Sequence, residues 1–184
     1  MKHSIIRYTL VSAFAIGLTA CGGGGSGGGG STVTKFDGNW KGPCETVGSR
    51  SYKQTWDING DKLDNNLQVW STNNCAGTAT PVKVKAALDY KNEISVANTC
   101  AGGKAQEVDI TYQSVTARGI TITGEDNIKG ILASKGISNA LPKYGLICKG
   151  NDGKLYRGLV TTDKDASTPA KRPDEMDTAH PLVP

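Results

Sequence analysis

Histidine is nearly absent from this chain of 184 residues, with His3 near the start and His180 near the far end. A central region without imidazole excludes Ser-His-Asp and Cys-His catalysis and nearly all transition-metal sites, so no metal ligands are expected. Thiolate metal sites lack their spacing too, because no C-x-x-C pair occurs and no histidine lies among the central cysteines. The charge is nearly balanced, 21 basic against 17 acidic residues, and no Lys/Arg cluster offsets that balance. A nucleic-acid partner is therefore not expected. Nor does the start of the chain offer a membrane span. The uncharged run at 9–20 is too short and too rich in small residues for a bilayer, which takes about 20 apolar residues.

That run has a different use. Lys2 and Arg7 precede it as a short positive region, and it ends in Leu18-Thr19-Ala20-Cys21. The layout is that of a secretory signal over 1–20, and the four closing residues resemble the lipobox of bacterial lipoproteins. The resemblance implies that Cys21 takes a diacylglycerol, that cleavage occurs before it, and that the new N-terminus is acylated. One acyl chain holds a protein only marginally, whereas two or more hold it stably. This covalent lipid is the only non-protein group expected, with no cofactor. Residues 21–34 continue as a Gly-rich tether, GGGGSGGGG after Cys21. Ten such residues reach about 15–20 Å. In the Gram-negative members of that class an Asp after the cysteine favours the inner membrane. Gly22 therefore implies lipid anchoring at the outer membrane, on its periplasmic face or at the cell surface. A glycine run in this place also resembles surface-displayed lipoproteins that bind host factors.

Without Lys2 and Arg7, 19 basic residues face 17 acidic ones, a balance of +2. About 130 residues lie between tether and tail, enough for one domain with a real core. Four cysteines fall there, Cys44, Cys75, Cys100 and Cys148. An even number in an exported chain implies two disulfides, with three possible connectivities. In an up-and-down meander Cys44, Cys75 and Cys100 fall near the same end of alternate strands, which favours Cys44–Cys75 with Cys100–Cys148.

Period-two alternation runs through most of this region. Tyr52, Trp56 and Ile58 share one face before a turn at Asn59-Gly60, and Leu67 and Val69 follow. Val82, Val84, Ala86, Leu88 and Tyr90 alternate with Lys83, Lys85 and Asp89, and Tyr90-Lys91-Asn92-Glu93 reads as a turn. Val108, Ile110 and Tyr112 alternate next, then Ile120 and Ile122, and Asn151-Asp152-Gly153 is a hairpin turn. One buried and one wet face per strand is the pattern of an antiparallel sheet. Eight to ten strands at this spacing predict an all-β domain over 35–162, a barrel or alternatively a β-sandwich. Residues 124–142 read as an irregular loop with about one helical turn. Residues 163–184, polar and rich in proline, read as a disordered tail.

Gly38 and Trp40 open the first strand and Arg157 lies in the last. This G-x-W with a late arginine resembles lipocalins, and implies a lipocalin-like barrel in which Arg157 packs over the Trp40 ring as a structural cation–π pair. The other lipocalin motifs are not evident. Glu45, Asp57, Glu107 and Asp109 alternate with apolar neighbours and read as outer-face charges, so no catalytic residue is expected. Trp56, Trp70, Tyr52, Tyr90 and Tyr112 read as core, with a ligand cavity as the rival. The expected function is non-enzymatic: an anchored barrel that binds a small hydrophobic ligand inside or an envelope or host protein at its rim. The alternatives are a structural, assembly or inhibitor lipoprotein, and a carboxylate-based hydrolase, which requires two acidic groups converging in a cleft.

Overall fold

Among the described residues, pairing along the strands produces a single nine-stranded antiparallel sheet. This is seen in a computed structural model that describes residues 35–96, 100, 102–134 and 143–184. The signal, Cys21 and the tether lie outside the described residues. The strands are β1 (Gly38–Lys41), β2 (Glu45–Val47), β3 (Arg50–Asn59), β4 (Lys62–Trp70), β5 (Thr80–Ile94), β6 (Ala105–Ala117), β7 (Ile120–Thr123), β8 (Tyr144–Lys149) and β9 (Leu155–Arg157). They lie in the order β1-β3-β4-β5-β6-β8-β9, with β2 on β3 and β7 on β6. The architecture is a nearly closed antiparallel barrel.

The alternation read from the sequence builds its wall. Val84, Ala86 and Leu88 of β5 and Val108, Ile110 and Tyr112 of β6 are all buried, while Lys83, Lys85 and Asp89 face solvent. Trp40 pairs with Trp56, and these side chains meet Phe36, Ile58, Leu63, Ile147 and Leu155 in one core. Gly60, at φ +60°, makes the tight turn from β3 to β4, a conformation open to glycine at little cost. The expected turn at Tyr90-Lys91-Asn92-Glu93 is instead a bulge within β5, where the register against β6 shifts between Tyr90 and Glu93. Turn-forming residues there are absorbed as an irregularity of one long strand.

Both expected disulfides are present, Cys44–Cys75 and Cys100–Cys148. The second is fully buried in a satellite core with Ala105, Leu146, Tyr156 and Met176.

Two further expectations are corrected. Within 124–142, Glu125–Ser134 forms a ten-residue helix, α1. Glu125 and Asp126 complement the positive end of the helix dipole, and Ile128 anchors the helix in the main core. Residues 135–142 lie outside the described residues. Residues 163–184 are also no disordered tail. Arg172 donates to the carbonyls of Val108 and Gly145 and to Asp109, and Met176 bridges to Gly158. Leu182 then exchanges both backbone hydrogen bonds with Leu155 of β9, at 2.8 and 2.9 Å, and Val183 does the same with Lys41 of β1, at 2.6 and 2.8 Å. A two-residue stave thus sits between the first and last strands of the sheet, with Leu182 fully buried. Few apolar residues suffice here because two strand edges supply unsatisfied backbone partners.

Candidate binding site

The inward faces of the barrel are occupied by buried side chains, and Trp70 and Tyr112 are core as expected, with Trp56 and Tyr90 packed against the cluster. The concavities worth weighing open at the surface. A groove of about 530 Å³ runs between β7 and α1, lined by Thr121, Ile122, Thr123, Asp126, Asn127 and Gly130. β7 arises from a tight reversal at Arg118-Gly119, both at positive φ, and pairs Ile120 with Ala117 and Thr123 with Ser114. Among the described residues it pairs with β6 alone, so no described strand lies along its other edge. Ile122 packs against the core, whereas Ile120 is 67% exposed.

Helix α1 forms the opposite bank. Asn127 reaches back to donate to the Thr123 carbonyl at 3.1 Å, which fixes the helix start against the strand end. Lys129 and Lys143 both pair with Glu125. At Gly130 a Cβ would meet nothing within 4 Å, so this part of the groove is open space. A second concavity, about 240 Å³, lies on the outer face of β3 to β5 and is lined by Asp57, Asp64, Asn65, Asn66, Lys83, Val84 and Lys85.

A polar cluster lies elsewhere, around Glu45. Its Oε2 accepts from the Tyr52 hydroxyl at 2.7 Å, and its Oε1 accepts from Gln54 Nε2 and Arg157 NH2, both at 2.9 Å. Gln54 in turn accepts from the Trp56 indole at 2.9 Å. Burial, reinforced by the hydrogen bond to Glu45, pushes the Tyr52 phenol well above its ordinary value. The expected outer-face charge at Glu45 is therefore corrected: its side chain is only 12% exposed.

No protein-family model or curated protein matches this chain.

Gly38 and Trp40 stand on β1 as expected, with the Trp40 indole donating to the Phe36 carbonyl at 2.8 Å. The expected stacking partner differs. Arg157 lies over the Trp56 ring, 5.9 Å from its centroid, and Lys149 lies over Trp40 at 5.3 Å. Arg157 is drawn to Trp56 because Glu45 holds its guanidinium there. Asp57 is exposed, as read, while Glu107 and Asp109 are both engaged by Arg172. His180, set aside with the tail, is brought into the domain next to Asp177. Two carboxylates do converge, Glu45 and Asp177, but neither lines either of the two concavities. The groove itself was missed. Ile-Thr-Ile-Thr before a helical stretch was the available signal, and it reads equally well as an interior strand.

Proposed function

We propose that this protein is a non-enzymatic lipoprotein, held at the outer membrane through lipid on Cys21, whose barrel rim binds an extended segment of an envelope or host protein. The observation that carries this reading is the edge of β7 along which no described strand lies, beside an open groove, on a barrel whose inward faces carry buried side chains. An extended chain added along β7 would gain main-chain hydrogen bonds from the strand edge, while alternate side chains enter the groove against α1. The large side chains buried on the inward faces favour a protein at the rim over a small apolar ligand inside. A groove of this kind also serves an assembly or inhibitor protein, which needs the same contact.

The test has two parts. A photo-crosslinking residue in place of Thr123 should give a protein adduct on intact cells. Gly130→Phe, which fills the groove, and Ile120→Lys, which charges the edge, should each lower its yield at least about tenfold, roughly 1.4 kcal/mol. Equal yield from a crosslinker at Asp64, or indifference to both substitutions, would sink the reading. Separately, Cys21→Ser should move a folded domain from the membrane to the soluble fraction; continued membrane attachment would disprove anchoring at Cys21.

A further inference from the structure

The C-terminal segment brings Asp177 and His180 to β2, where their ligand atoms and that of Glu45 all lie within 4.8 Å of one another. We propose that Glu45, Asp177 and His180 form a binding site for a divalent first-row transition ion of the Zn2+ type, which fastens the C-terminal segment to the barrel. The donor set is one imidazole nitrogen and two carboxylates, a combination that suits zinc with a fourth position left to solvent. Tetrahedral zinc with bonds of about 2.0–2.2 Å needs donors separated by roughly 3.2–3.6 Å. The three donors, all within 4.8 Å of one another, need movements of about 1 Å to reach that spacing.

Each ligand is brought near its place before any ion arrives. Tyr52, Gln54 and Arg157 fix the Glu45 carboxylate. The Asp177 backbone N–H donates to the Arg157 carbonyl at 2.7 Å, and its Oδ1 accepts from the N–H groups of Ala179 and His180 at 3.1 and 3.2 Å. Its carboxylate also lies 3.0 Å from His180 Nδ1, which fixes the ring. Preorganised donors bind with little ordering of their own.

Charge points the same way. Two carboxylates meet here against one guanidinium, and Arg157 is spent on Glu45 and the Trp56 face. Among the described residues, Asp177 makes its side-chain pair with His180. A metal ion adds positive charge between the two carboxylates. The His180 side chain is 46% exposed, which gives the ion a way in. Mg2+ and Ca2+, which favour oxygen ligands in larger number, should bind poorly.

The experiment uses the detergent-solubilised full chain without affinity-tag histidines, stripped with chelator and titrated with ZnCl2 by calorimetry. One ion per chain should bind with a Kd of about 10 μM or tighter. Zinc should raise the Tm and chelator reverse it, while Mg2+ does neither. His180→Ala, which alters an exposed ring and leaves the Glu45 network whole, should weaken binding at least about tenfold and abolish the Tm shift. Unsaturable uptake up to about 1 mM Zn2+, or an unchanged affinity in His180→Ala with native circular dichroism, would overturn the proposal.

Discussion

At position 103 a side chain as small as a methyl group would lie 2.6 Å from the Lys149 carbonyl oxygen and 2.9 Å from both sulfurs of Cys100–Cys148. Neither backbone nor buried disulfide can give way easily. Gly103→Ala is therefore expected to destabilise the domain by about 1–3 kcal/mol, read from the urea midpoint. Gly130 gives the opposite result: in a helix with open space around it, Gly130→Ala should stabilise by about 0.5–1 kcal/mol. The tyrosines add a pH dependence. Burial raises the Tyr112 phenol, and burial followed by the Glu45 hydrogen bond raises Tyr52, both above the unfolded value. Their contribution is complete below the ordinary phenol range near pH 10 and is lost as pH climbs from there toward the folded values. Alkaline unfolding followed by circular dichroism should therefore shift in Tyr52→Phe, and an unchanged midpoint would contradict this account. At this scale the sequence was readable where alternation alone decides, as at Val84, Leu88 and Val108. It was misleading at Glu45, whose inward placement depends on Tyr52, Gln54 and Arg157 arriving from two other strands.

The segment from Asp163 to Val183 shows how an element without a periodic pattern becomes structural. Arg172 clamps it through Glu107, Asp109 and two carbonyls, and Leu182 seals the seam between β9 and β1. Leu182→Ala should cost about 2–5 kcal/mol, as for other fully buried leucines, and should show as a lowered Tm. Acid should loosen the segment's bend at Asp165. Its carboxyl is lowered to about 2, first by the Ser167 hydroxyl, then by the Ser167 N–H, with Lys171 adding to both. A depressed carboxyl supports the fold above its unfolded value near 4, and that support is lost as pH falls through about 2. Carboxyl NMR titration should place the Asp165 midpoint near 2 and move it upward in Ser167→Ala. Composition could not reveal this segment, because its order comes from strand edges that exist only after the sheet forms. The helix was hidden for a related reason. Gly130 and Gly136 weaken the local pattern, and Ile128 has to find the core before Glu125–Ser134 is worth forming.

At the largest scale, the described residues form a nearly closed barrel stapled at two places with very different access. Cys100 and Cys148 are fully buried, whereas Cys44 and Cys75 are partly exposed. Under native conditions dithiothreitol should open Cys44–Cys75 first, and alkylation with mass spectrometry should find Cys100–Cys148 labelled only once the domain unfolds. Simultaneous labelling of all four would show that the second core opens on its own. The barrel and both pairings were legible because period-two alternation and an up-and-down order fix the ends of the strands. The rim groove was not, since a free edge is defined by which strand fails to arrive beside it.

Lys41 and Val183 meet across almost the whole length of the folded region, and this has a consequence for how the protein is made. A chain leaves the ribosome N-terminus first, so β1 to β9 can pair before Leu182 and Val183 appear. During that interval the sheet is an open ribbon with two bare edges, the form most inclined to join another chain. The growing polypeptide is therefore most inclined to aggregate just before the closing stave appears.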